Sequence, residues 1–117
     1  MWKVDAHSHV GSGAAVWSGQ DVVDRMDTMK VDKTIIFPFT EGQWDNGEMI
    51  KYVDENPDSL IPCCAVNPWD GQAAADDLEN CLKRGYKGVK LHPTICGFRL
   101  SDKKLVDPVF EVVQAYD

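Results

Sequence analysis

Four apolar runs, each followed by a turn-rich loop and then an amphipathic stretch, recur at nearly constant spacing along this chain of 117 residues. They occupy residues 3–9, 33–39, 60–67 and 87–92, and successive starts lie 30, 27 and 27 residues apart. That is the length of a strand and a crossover helix feeding a parallel neighbour. A (β/α)8 barrel takes about 250 residues, so four such units amount to roughly half of one. The expected fold is therefore α/β: four consecutive βα units with parallel strands, the N-terminal half of a TIM-like (β/α)8 barrel, in one domain over residues 1–117. A complete small doubly wound sheet is the competing arrangement, but no glycine-rich phosphate loop follows any of the four runs.

The stretches between the runs carry helix signals. Ser18-Gly19-Gln20-Asp21 has the form of a capping box, after which Val22, Val23, Met26 and Met29 make one apolar stripe. Asn46 stands where it would cap a second helix, with Met49, Ile50 and Val53 inward and Asn56-Pro57 ending the run. Asp70 stands where it would cap a third, with Ala74, Ala75, Leu78, Cys81 and Leu82 inward and Gly85 just past its end. Asp107-Pro108 is expected to open a fourth, carrying Val109, Val112, Val113 and Tyr116. That last pattern reaches Asp117 without a stop signal, as expected of a barrel cut short at its C-terminus.

Bulk properties narrow the function. Apolar residues make up 44 % of the chain, enough for a globular core. A net charge of −7 repels phosphate backbones and argues against a nucleic-acid partner. No apolar run approaches the roughly 20 residues that cross a bilayer, and polar residues follow Met1-Trp2 at once, unlike a signal peptide. A cytoplasmic protein without a membrane partner is expected. The four cysteines lack the sequence spacing of a structural zinc site. Cys63 and Cys64 point to opposite faces of one strand, Cys81 lies on the apolar side of a helix and Cys96 lies in a loop beside the expected site. Reduced, buried thiols are the expectation, with Cys96 the exception.

The chemistry concentrates in Asp5-Ala6-His7-Ser8-His9, at the end of the first run. Alternation along a strand projects His7 and His9 from one face, with Asp5 on the same face one step back. Polar groups on a strand face need partners when buried, and a divalent cation held by two imidazoles meets that need. A pair of hydrogen-bonded histidines in a barrel mouth is the plainer alternative.

Val4-Asp5-Ala6-His7-Ser8-His9, Ala65-Val66-Asn67-Pro68 and Gly88-Val89-Lys90-Leu91-His92-Pro93, in this order and spacing, resemble the amidohydrolase superfamily. They look most like its amidohydrolase-2 branch, whose members resemble aminocarboxymuconate semialdehyde decarboxylase. The resemblance covers essentially the whole chain. It implies a TIM-like barrel with a divalent metal, zinc first and manganese second, at the C-terminal ends of the strands. His7 and His9 match the two first-strand ligands. The family's further ligands, histidines ending strands five and six and an aspartate ending strand eight, match no position of this chain. That aspartate is the group expected to take a proton from the metal's water. Some relatives carry a carbamylated fourth-strand lysine between two metals, but the branch resembled is usually mononuclear, so Lys90 is not given that part.

Other residues are candidates on their own chemistry. Asp5 is expected either to orient an imidazole from behind or to pack the barrel floor. Lys90 and His92, two residues apart, are expected to point inward at the end of the fourth strand. Lys90 would neutralise an anionic substrate; His92 would hydrogen-bond substrate or transfer a proton. A satisfied polar network is the alternative for both. Trp17, Trp44, Trp69 and Phe98 follow the four strands in turn, in loops expected to open on the histidine face. With Arg99 they would suit a planar or aromatic carboxylate, or else wedge each loop onto its helix. Asn67 either hydrogen-bonds into the site or caps its loop. Asp76, Asp77 and Glu79 read as the solvated face of a helix.

The expected function is a metal-dependent hydrolase acting on an amide, ester or lactone of a small molecule through metal-activated water. Non-hydrolytic decarboxylation of an aromatic or unsaturated acid is the alternative within the same class. The isolated chain is expected to be inactive without the later strands. A catalytically idle metal-binding half-barrel, paired with its own copy or with a missing C-terminal half, is the alternative from a different class. A histidine-rich phosphoesterase fold ranks last, because only His92 is available beyond His7 and His9.

Overall fold

The first two runs form strands β1 (Val4–Val10) and β2 (Lys33–Pro38), which pair in parallel. On its other side β2 pairs in parallel with β3 (Leu60–Pro62), giving the order β1-β2-β3. The structure is a computed structural model that describes residues 1–11, 17–38 and 44–116. By contact it divides into two units, Met1–Cys63 and Cys64–Asp117. Phe39, expected to end the second strand, lies outside the described residues.

In the first unit, helices α1 (Gly19–Met29) and α2 (Asn46–Glu55) supply the other layer. Val10, Ile36 and Leu60 of the sheet are buried, as are Val22, Met26 and Met49 of the helices. Burying such a side chain contributes about 1.5–3 kcal/mol, so these six anchor the unit. The capping box forms as expected: the Asp21 N–H donates to Ser18 Oγ at 3.1 Å and the Ser18 N–H to Asp21 Oδ2 at 2.8 Å. Asn46 does not cap α2. Asp45 does, its Oδ1 accepting from the Glu48 N–H at 3.0 Å, while Asn46 is buried as the first helical residue. A carboxylate suits the positive end of a helix better than an amide does. Gly19 lets α1 approach α2, because a Cβ there would meet Tyr52 Cβ at 2.6 Å.

One irregularity in β1 has large consequences. Val4 and Asp5 pair with Lys33 and Thr34, whereas Ser8, His9 and Val10 pair with Ile36, Phe37 and Pro38. Between Asp5 and Ser8, β1 therefore carries one residue more than β2, a β-bulge over Ala6 and His7.

The third run is not one strand. The Cys63 N–H donates to Ile36 O, but the Cys64 N–H donates to Gly88 O, both at 2.9 Å. With that change of partner the second unit begins, and β4 (Cys64–Ala65) pairs in parallel with β5 (Val89–Lys90). Asn67 caps a 3-10 turn at Pro68–Asp70, so Asp70 is used up inside that turn and does not cap the third helix. Gly71, at φ 56°, leads into α3 (Gln72–Lys83), which buries Ala74, Ala75, Leu78 and Cys81. A four-residue helix without a sequence expectation, α4 (Pro93–Cys96), follows β5. The last helix, α5 (Lys103–Ala115), starts four residues before Asp107 and holds Pro108 inside it. The earlier turn buries Val106 beside Val109, which offsets the backbone hydrogen bond that a proline forfeits.

Candidate metal centre

His7 and His9 converge. Their Nε2 atoms lie 2.9 Å apart, with ring centroids at 4.8 Å and an interplanar angle of 68°. Two nitrogens bound at about 2.0–2.1 Å to a tetrahedral cation would be roughly 3.3 Å apart, so little adjustment separates this pair from a chelating geometry. His9 Nδ1 lies 3.3 Å from the Pro38 carbonyl oxygen. A carbonyl only accepts, so Nδ1 carries the proton and the His9 Nε2 lone pair accepts from His7 Nε2–H, the hydrogen-bonded pair named above as the plainer alternative; a cation would take the place of that shared proton. The Phe37 ring lies 4.8 Å from His7 and 6.2 Å from His9, an apolar wall on the same face. The residues present fit a divalent cation.

Asp5 does not share this face. Side chains of directly paired residues in a parallel ladder point the same way, so Asp5 and Ser8 go with Thr34 and Ile36, opposite to His9 and Phe37. The extra residue of the bulge breaks the alternation on which the shared face was expected. Asp5 also does not touch an imidazole through its carboxylate. Its Oδ1 accepts from the His7 backbone N–H at 3.1 Å, which ties the bulge rather than the ring.

The second unit gathers other candidates. Lys90 ends β5 half-buried, and that burial pushes its ammonium pKa below the usual lysine value. His92 lies beyond the strand and so is not paired with Lys90 along it as expected. It caps α4, with Nδ1 accepting from the Ile95 N–H at 3.3 Å, which leaves the proton of the neutral ring on Nε2. Asn67 takes the plainer of its two readings, its Oδ1 accepting from the Trp69 N–H at 3.2 Å. Trp69 donates from Nε1 to the Cys96 carbonyl at 2.8 Å and keeps its ring 58 % exposed. That ring, Pro93, Gly97, Phe98, Arg99, Ser101 and Asp102 line an open cleft of about 570 Å³. Three of the expected substrate residues, Trp69, Phe98 and Arg99, thus share one cleft.

The remaining aromatics behave differently. Trp17 wedges its loop: its ring lies under the Arg25 guanidinium at 3.8 Å, and its backbone bridges Gly11 at 2.9 and 3.3 Å. Trp44 is half-buried just before the Asp45 cap. Pro38 and Phe37 escape sequence reasoning for separate reasons. A backbone carbonyl has no sequence signature, and Phe37 becomes visible only once its register with His9 is known. None of the four cysteines is in a disulfide. Burial raises the Cys63 thiol pKa, and burial with the Asp70 carboxylate raises that of Cys96.

A family model described as amidohydrolase matches residues 4–117. No curated protein matches the sequence. Among solved structures, 5-carboxyvanillate decarboxylase from Novosphingobium aromaticivorans, with bound manganese and 3-methoxy-4-hydroxy-5-nitrobenzoic acid, matches with a TM-score of 0.81 at 15 % identity, over 99 % of this chain and 49 % of its own. A Staphylococcus aureus protein classed as an amidohydrolase matches at 0.78 and 15 % identity, over 99 % of this chain and 45 % of its own. An Acinetobacter baumannii protein classed as a 2-pyrone-4,6-dicarboxylic acid hydrolase, with citric acid bound, matches at 0.66 and 19 % identity, over 96 % and 47 %. Likeness at such identities is a likeness of fold: α/β, with the parallel βα units of half a TIM-like barrel. The chain spans about half the length of each solved chain it matches. Among the described residues no helix is long and apolar enough to cross a membrane.

Proposed function

This chain belongs to the amidohydrolase family, and from that premise we propose that His7 and His9 are ligands of a divalent metal in an enzyme that hydrolyses an amide, ester or lactone. The observation that carries the reading is the convergence of the two Nε2 atoms at 2.9 Å, with His9 Nδ1 engaged by the Pro38 carbonyl. A cation held there, zinc first and manganese second, supplies Lewis acidity toward a carbonyl oxygen and lowers the pKa of its water to about 7. The chain's own residues do the rest. Pro38 fixes the His9 tautomer, Phe37 excludes water from one side of the His7 ring, and Asp5 holds the His7 backbone at the bulge. Taken by itself, the second unit offers the half-buried Lys90, suited to an anionic group, and His92, whose Nε2–H can donate to an oxygen. Absence of disulfides among the four cysteines supports a cytoplasmic location.

Decarboxylation of an aromatic or unsaturated acid is the second reading. It is favoured by the cleft that sets the Trp69 and Phe98 rings beside Arg99, a guanidinium able to grip a carboxylate through two hydrogen bonds. An idle metal-binding half-barrel is the third, supported by the exposure of Val4 on β1, an edge strand of its sheet, and of Trp2 just before it.

Calorimetric titration with zinc and manganese tests the ligands. With manganese, which the histidine centre takes and thiolates disfavour, we expect the parent chain to bind one ion at this centre and His7→Ala/His9→Ala to lose affinity there by at least about tenfold. Equal affinity in both would remove the assignment. Ester hydrolysis and carbon dioxide release should both be negligible in the 117-residue chain, because it holds only two of the ligands the family resemblance implies. Robust turnover abolished by His7→Ala would show these residues to be sufficient.

A further inference from the structure

Two cysteines and an aspartate that the proposed function does not use meet in the second unit. Cys64 opens β4 and is fully buried, and Cys81 lies on the inner side of α3, 4 % exposed. Asp77, one helical turn before Cys81, is exposed. The two sulfurs and a carboxylate oxygen all lie within 4.8 Å of one another. The four-residue separation puts Asp77 and Cys81 on one stripe of α3, and β4 packs against that helix.

We propose that Cys64, Asp77 and Cys81 form a metal site of their own, for a thiophilic divalent cation such as Zn²⁺ or Cd²⁺. Two thiolates select a soft or borderline ion over Mg²⁺ or Ca²⁺. Zinc–sulfur bonds of about 2.3 Å set two sulfurs roughly 3.8 Å apart in a tetrahedral site. From a spread of at most 4.8 Å, side-chain rotation of about an ångström closes the cage. The exposed side of Asp77 is the entry path, and it leaves the fourth position to water. Each ion displaces the two thiol protons, which pass to solvent as the two metal–sulfur bonds form. Because the ligands come from a strand and a helix, the ion fastens α3 to β4, a strand of two residues with little ladder of its own. No zinc-like sequence spacing announces the site, since Cys64 comes from one element and the Asp77–Cys81 pair from another.

The test uses the full chain carrying His7→Ala/His9→Ala, kept reduced and titrated with Co²⁺ and Cd²⁺. One ion per chain should bind with thiolate-to-metal charge-transfer absorption, and Zn²⁺ should raise the melting temperature. Cys81→Ala should abolish the band. Asp77→Asn, at an exposed position, should keep the band while weakening affinity by about tenfold or more. Cys96→Ala should bind as the parent does. No charge-transfer band in the double-alanine background, or unchanged titrations in both Cys81→Ala and Asp77→Asn, would overturn the site. Should Cys81→Ala fail to fold, the Asp77→Asn affinity decides alone.

Discussion

Cys96 lies half-buried at the end of α4, where its carbonyl accepts the Trp69 indole N–H and its thiol faces the field of Asp70. Burial, and secondarily that carboxylate, disfavour the thiolate, which is the form that reacts. Cys96 should therefore alkylate more slowly than a free cysteine in mildly alkaline buffer, and Asp70→Asn should speed it, as peptide mass spectrometry of an iodoacetamide time course would show. Equal rates in parent and variant would mean that Asp70 has no hold on the thiol. Legibility at this scale is uneven. The pairing of His7 with His9 follows from their spacing, because side chains two apart on a strand agree in direction whatever lies upstream. The Pro38 carbonyl that sets the His9 tautomer, and the meeting of Cys64 with Cys81, depend on chain folding and leave no local trace.

Elements obey their local chemistry where a side chain and backbone satisfy each other within a turn, and depart from it where burial elsewhere is worth more. The α1 cap is the first kind. Ser18 donates to Asp21 from its backbone N–H and hydroxyl, at 2.8 Å each, and holds that carboxyl below the usual aspartate pKa. Since the folded pKa is depressed, the stabilisation is fully present above the ordinary aspartate value and is lost as pH falls through the lowered one. Ser18→Ala should cost about 1 kcal/mol at neutral pH, and the difference from the parent should shrink in acid. Urea unfolding across a pH series checks this, and a gap that widens in acid would contradict it. Asn46, Asp70 and Pro108 are the second kind. Each has the residue type of a helix start, yet Asp45 is the better acceptor, Asp70 is consumed by a 3-10 turn, and burial of Val106 draws α5 back beyond Pro108.

Across the whole molecule, the recurrence of 27 to 30 residues makes parallel βα units legible from the sequence, since few other arrangements absorb so regular a period. What it hides is the break at Cys63, where the third run exchanges one set of hydrogen-bond partners for another. A continuous apolar run looks the same on either side of such an exchange. The order β1-β2-β3 leaves β1 at the edge of its sheet, with Val4 52 % and Trp2 71 % exposed. Unpaired edges recruit further strands, against which a net charge of −7 acts only through screened repulsion. Light scattering at rising concentration should show association in the parent, and Val4→Lys should shift it toward monomer. A parent that stays monomeric would count against the paired half-barrel.

The bulge in β1 divides the strand into two phases. His9 is set by the Ser8–Ile36 and His9–Phe37 register, His7 lies in the bulge with its backbone tied to Asp5, and the residues up to Asp5 follow a separate register. Loss of Ala6 would only straighten the ladder, leaving both imidazoles on their side and Asp5 on the other. Loss of Ser8 would turn one histidine away and dismantle the centre. The strand is thus tolerant of length change before its ligands and intolerant between them, a polarity that substitutions alone would never expose.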